Sequence, residues 1–148
     1  MNLQHHFQNA YVTRNLDAAI AMLKERYGLT EFARFEPEIP TKAGGLLKLR
    51  VATTWLDNYQ IELIEPVGGA VDFYRDYLPA EDGAIRFHHI ASRVDDFEQV
   101  RATLDHVVAE GEMPGVRFAY VDARDTVGHY LEYVWCSPEM WKALGGKP

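Results

Sequence analysis

The chain has 148 residues, 47% hydrophobic and 25% charged, which suits a single globular domain with a sizeable core and excludes a disordered chain. Its net charge of -7, from 22 acidic against 15 basic residues, argues against nucleic acid and anionic lipid as partners. The start, MNLQHHFQNAYVT, has no basic segment leading into an apolar run, and no apolar stretch approaches the roughly 20 residues of a membrane span, so a cytoplasmic protein is expected.

Residues 6–12 alternate as a strand, with Gln8, Ala10 and Val12 on one face and Phe7, Asn9 and Tyr11 on the other. Asn15 is placed to cap a helix over about 15–28, which Gly28 closes. Three apolar segments follow at about 30–36, 46–54 and 59–66, separated by the turn-rich PEIPTKAGG and LDN; the last points Gln60, Glu62 and Ile64 one way. The stretch 67–85 opens on Gly-Gly and reads as a surface linker with a short amphipathic helix at about 71–78. A second strand follows with Phe87, His89 and Ala91 on one face, then a helix at about 96–110 capped by Asp95 or Asp96. After a short connection come strands 116–123 and 129–135, joined by the turn DTVG. The last strand sets Tyr130, Glu132 and Val134 on one face, and Leu131, Tyr133 and Trp135 on the other, ready to pack under a helix. Cys136, the only cysteine, has no disulfide partner and reads as a buried inert thiol. Ser137 starts a closing helix, 137–145, whose Met140, Trp141 and Leu144 need an apolar surface.

The chain repeats itself. Superposing Asn15 on Asp96 gives an offset of 81 (96 − 15), which also lays Gln8 on His89 and Leu16 on Phe97. Matching YQIELIEP to GHYLEYVW lays Glu62 on Glu132 at an offset of 70 (132 − 62). Two copies of a strand-helix-strands unit result, at about 6–66 and 86–136, within one domain over 1–148. A glutamate in the middle of an apolar strand is costly unless it faces water or a polar partner. Taken singly, each of these polar residues is ordinary, but their recurrence at equivalent places favours one shared polar site built from Gln8, Glu62, His89 and Glu132. His6 shares the strand face of Gln8, whereas His5 and His88 point the other way and read as surface or structural, and His129 reads as solvated at a turn.

The segments IELIEPVGG, FHHIASRVDDF and DTVGHYLEYVW, in this order and spacing, resemble the glyoxalase / bleomycin-resistance / dioxygenase (vicinal oxygen chelate) superfamily, nearest its methylmalonyl-CoA epimerase and glyoxalase-like branches, over about 6–136. The resemblance implies an α+β fold in which two βαβββ modules form a cupped, incompletely closed mixed barrel. It also implies a divalent ion held by one residue from the first and last strands of each module, which are Gln8, Glu62, His89 and Glu132 here. Metal-dependent members usually have His where this chain has Gln8, a weaker donor; one imidazole, two carboxylates and an amide suit Mn, Co, Ni, Mg or Fe better than a closed structural Zn site.

The implied activity is that of a lyase or isomerase, with a chelated enediolate and with Glu132 and Glu62 as acid and base. Epimerase-like members add a Glu before the third strand, and the corresponding KAGGLLKL has none. An extradiol-type dioxygenase would need two His and one Glu on iron, a set that Gln8 breaks. Glutathione-dependent activity would need cations, for which Arg14, Arg34, Arg50 and Arg93 are available without a decisive arrangement. Aromatic residues near the cavity (Phe7, Trp55, Tyr59, Phe87, Tyr120 and Tyr130) point to a small, partly apolar molecule. The other class of reading is a metal-free small-molecule binder of the same fold. A homodimer is expected from the resemblance, with the closing helix and Phe73, Tyr74 and Tyr77 as candidate contacts.

Overall fold

The computed structural model describes residues 5–147. In chain order it contains β1 (His6–Val12), α1 (Leu16–Tyr27), β2 (Ala33–Phe35), β3 (Glu38–Pro40), β4 (Leu46–Leu56), β5 (Tyr59–Gly69) and α2 (Asp72–Arg75). The rest comprises β6 (Arg86–Arg93), α3 (Phe97–Arg101), β7 (Val107–Met113), β8 (Val116–Ala123), β9 (His129–Cys136) and α4 (Pro138–Ala143). Helix ends form where capping chemistry dictates. Asn15 accepts from the Ala18 amide at 3.1 Å, Asp96 from Gln99 at 3.0 Å and Ser137 from Met140 at 3.1 Å. Gly28 ends α1 at φ 68°, a left-handed conformation that suits glycine.

The strands form one continuous sheet, in the order β2-β4-β5-β1-β6-β9-β8-β7, with β3 added on β4. The first and last strands of each half run parallel, β1 with β5 and β6 with β9, as a crossover through a helix allows. The halves join through antiparallel β1 and β6. Ala10 sits opposite Glu62 in the first half and Ala91 opposite Glu132 in the second, so the sequence repeat is a repeat of register. The sheet curls into a cup whose far edges meet where Thr41 bridges Gly111 and the Lys42 amide donates to the Glu110 carbonyl at 2.9 Å. A Cβ on Gly111 would lie 2.5 Å from the Pro40 carbonyl oxygen, so only glycine permits this seam.

Alternation sorts the core into three clusters. Outside the cup, Leu16, Ala19, Ile20 and Leu23 of α1 pack on Ala52 and Leu63, while Phe97 and Leu104 pack on Ala119, Val121, Leu131 and Tyr133. Inside it, Val12, Leu47, Leu49, Val51, Ile64, Phe118 and Val134 form the third.

Several elements differ from the sequence reading. The expected helix over 96–110 stops after Arg101, and 107–113 is strand β7 instead. His106 turns the chain at φ 57°, and the β-branched Val107 and Val108 enter a strand that pairs along the otherwise open edge of β8. Likewise Glu38–Pro40, within the turn-rich loop, pairs with Leu46–Lys48 and buries Ile39. The segment 67–85 is not confined to the surface, because Tyr74 of α2 is fully buried.

Candidate metal centre

The four central strands, β5, β1, β6 and β9, carry the site, and their pairing places its residues around two alanines. Ala10 is opposite both Glu62 and His89, and Ala91 is opposite both Glu132 and Gln8. Side chains opposite one another across adjacent strands share a face, and the alanine methyls leave the centre open. One ligating atom each from Glu62, His89 and Glu132 lies within 4.8 Å of the other two. His89 Nε2 is 2.9 Å from a Glu132 oxygen and 3.9 Å from a Glu62 oxygen. The two carboxylates keep a small exposure, 15% and 12%, where they line the cup's interior.

Gln8 is buried beside them. Its Nε2 donates to Gln60 Oε1 at 2.6 Å, while Gln8 Oε1 has no partner. His6 lies at the exposed end of β1, with Nε2 near the Gln8 carbonyl and Asn9 Oδ1, and stays out of the cluster. His129 is half-buried rather than solvated, and its Nδ1 donates to the Tyr130 carbonyl at 2.8 Å.

Burial sets the charges. It raises the Glu132 carboxyl to about 7, and it raises Glu62 well above the ordinary range with added repulsion from Glu132. Burial lowers His89 to about 3, so its imidazole is neutral. His88, expected to be surface or structural, is fully buried and fixes which nitrogen of His89 carries the proton. A carbonyl only accepts, so His88 Nε2 donates to the Phe73 carbonyl at 2.8 Å. Burial keeps His88 neutral too, which leaves its Nδ1 to accept from His89 Nδ1–H at 2.8 Å. His89 Nε2 therefore presents a lone pair to two carboxylates and makes no hydrogen bond, despite the 2.9 Å approach of Glu132. Such a triad is stable only with a cation or a shared proton in its middle.

Sequence reasoning overlooked the supports of this centre. Tyr120 is the cross-strand neighbour of Glu132, and the Tyr74 hydroxyl donates to that of Tyr120 at 2.7 Å. Tyr74 and the Phe73 carbonyl both come from α2, so the segment between the halves completes the site. Alternation along β5 and β8 gave a signal for Gln60 and Tyr120, whereas nothing local marks Tyr74. Beyond the polar cluster opens a cavity of about 150 Å³, covered at one end by Met140, Trp141 and Leu144 of this same chain.

A family model described as the Glyoxalase/Bleomycin resistance protein/Dioxygenase superfamily matches residues 7–120. No curated protein matches the chain. Among solved structures, a methylmalonyl-CoA epimerase in complex with methylmalonyl-CoA and NH4+ is similar at a TM-score of 0.61 and 19% identity, over 90% of this chain and 95% of that one. A variant of the Streptomyces coelicolor methylmalonyl-CoA epimerase in complex with 2-nitronate-propionyl-CoA is similar at 0.62 and 20%, over 93% and 97%. The methylmalonyl-CoA epimerase of Mycobacterium tuberculosis is similar at 0.55 and 15%, over 93% and 91%. At these identities the likeness is one of fold.

Proposed function

The chain belongs to the glyoxalase/bleomycin resistance protein/dioxygenase superfamily, and from that premise we propose that it is a divalent-metal-dependent isomerase or lyase acting on a small, partly apolar substrate. The observation that carries this reading is the buried, unbonded lone pair of His89 Nε2 facing Glu62 and Glu132. Two carboxylates and a neutral imidazole are the donor set of a hard or borderline divalent ion, and the unpartnered Gln8 Oε1 offers a fourth, weaker donor. We assign Glu62, His89, Glu132 and Gln8 to hold it. A bound ion supplies a Lewis acid to two neighbouring substrate oxygens, which acidifies the adjacent C–H.

The chain's own groups move the proton. Glu132, which lines the cavity beside His89 Nε2, takes the proton and returns it. Tyr120, itself held by Tyr74, lies beside that carboxylate as its cross-strand neighbour and positions it. Glu62 faces it from the other half and serves as the second acid/base, because among the described residues these are the only carboxylates lining the cavity. A metal-stripped sample titrated with Mn²⁺ should take up one equivalent. The loaded protein, incubated with an α-hydroxy acid in D₂O, should exchange the α-proton by NMR; no uptake of any divalent metal removes this reading.

One observation favours a metal-free ligand-binding protein: the Gln8 amide, at a candidate ligand position, is already tied by a hydrogen bond to Gln60 without a cation. Ligand affinity unchanged by chelator, together with absence of metal on elemental analysis, would establish that alternative.

A further inference from the structure

Resting on the metal-site reading, we propose that the part of the ligand held in this cavity is a neutral apolar body the size of a single ring, joined to a polar two-oxygen head, and that this body carries no second carboxylate. The cavity offers about 150 Å³, roughly the volume of a pocket walled by Leu, Ile and Phe that admits benzene. Its walls are of that kind. Alternation along β4 turns Leu47, Leu49 and Val51 inward, and they face Phe118 and Val134 across the cup, with Trp141 of α4 at the end.

Polarity is confined to the head end. Gln8, Gln60, Glu62, Glu132, Tyr74 and Tyr120 lie there, and Thr53 joins them because it is opposite Glu62 in the β4–β5 register. Cys136 is the remaining ionisable group among the described lining residues, and burial helps to push its thiol up to about 11, so it is uncharged.

No Lys, Arg or His is among the described residues lining the cavity. The neighbouring guanidinium groups are committed elsewhere: Arg50 to Glu36 and Glu65, Arg34 to Asp17, and Arg93 over the Trp141 ring at 4.1 Å. A carboxylate or phosphate on the body of the ligand would therefore lose its hydration without gaining a counter-charge, which is strongly unfavourable. The far end is covered by rings. Trp55 Nε1 donates to the Leu144 carbonyl at 2.8 Å, and Trp141 stands edge-on to Trp55 at 5.9 Å and to Phe7 at 5.0 Å.

The test uses three acids with one α-hydroxy carboxylate head and different bodies: lactate (methyl), mandelate (phenyl) and malate (carboxylate). Calorimetry on the Mn²⁺-loaded full chain should show mandelate binding about tenfold or more tighter than lactate, with malate weakest. Malate binding as tightly as mandelate overturns the proposal. Benzyl alcohol, added to metal-free protein, probes the chamber alone and should shift the emission of Trp55 and Trp141 saturably. If it does so while Mn²⁺ fails to bind, the chamber stands and only the metal reading falls; if it produces no saturable shift, the chamber assignment falls whatever the metal does. Leu49→Phe puts a ring into the chamber and should bring the mandelate-to-lactate ratio towards about one, with Mn²⁺ affinity as the check that the variant is folded. An unchanged ratio in a folded variant also overturns the proposal.

Discussion

His88→Phe removes a nitrogen that touches neither of the two carboxylates, yet it should weaken metal binding. The phenyl ring retains the stacking of His88 on Tyr130, seen at 4.6 Å and 13°, so the core stays filled. His89 Nδ1–H loses its acceptor, and a buried donor left unpaired costs about 1–3 kcal/mol. The metal-free variant can avoid that cost by moving the proton to Nε2, where a Glu132 oxygen 2.9 Å away accepts it. This escape removes the lone pair that the ion needs. Loss of such an orienting partner typically lowers metal affinity about 10- to 100-fold, or about 1.4–2.8 kcal/mol, and because the Phe73 carbonyl also loses its donor, the metal-free protein should melt lower than the parent. Calorimetric Mn²⁺ titration above pH 7 gives the affinity, and ¹⁵N spectra of the His89 ring give the tautomer. Affinity within about twofold of the parent, with the proton still on Nδ1, would refute the argument.

Glu132→Gln should abolish stoichiometric metal uptake and proton exchange, yet raise the stability of the metal-free protein by about 1–3 kcal/mol in chemical denaturation, because a buried carboxylate is replaced by an isosteric amide. Stability should also depend on pH. Glu132 titrates at about 7 when folded, against an ordinary value of 4.5, so its contribution is fully present below 4.5 and is lost as pH rises through 7. The loss amounts to about 3 kcal/mol, and the raised Glu62 acts in the same direction. Because the buried neutral His88 and His89 lose stability in the opposite direction as pH falls, the Glu132 contribution is read by difference: the stability gain of metal-free Glu132→Gln over the metal-free parent should be larger at pH 8 than at pH 5, and saturating Mn²⁺ should offset the parent's loss at pH 8 because it binds the ionised form.

The fold was legible in the sequence because its strongest signals are periodic. Alternation put Gln8, Ala10 and Val12 on one face, and all three are buried in the structure. The offsets of 81 and 70 hold in the strand register, which takes Ala10–Glu62 onto Ala91–Glu132. Strand β7 was illegible because 102–110 has a helical rhythm, and only the unpaired edge of β8, a long-range partner, makes it a strand. The role of His88 escaped for the same reason. Its acceptor is the Phe73 carbonyl, fifteen residues back on a helix that no repeat position announces. Charge patterning could mark Glu62, His89 and Glu132 as candidates, but the proton positions that make His89 a bare lone pair depend on that distant contact.

The two halves support Gln8 and its counterpart His89 through different neighbours. An offset of 81 lays His88 on Phe7 (88 − 81), so an imidazole at position 8 would lack the adjacent ring nitrogen that holds His89. Position 8 has a different support. The offset of 70 lays Tyr130 on Gln60 (130 − 70), and it is Gln60 Oε1 that accepts from Gln8 at 2.6 Å. That oxygen can equally accept from an imidazole N–H and leave the second nitrogen facing Glu62 and Glu132. Gln8→His should therefore tighten Mn²⁺ binding by about tenfold, since an imidazole replaces a weaker amide donor. The double variant Gln8→His with Gln60→Leu should lose that gain, because the orienting acceptor is gone. Single and double variants compared by calorimetry isolate the coupling between positions 8 and 60. If Gln8→His leaves affinity unchanged, position 8 lies outside the ligand set; if the gain survives Gln60→Leu, Gln60 does not orient it.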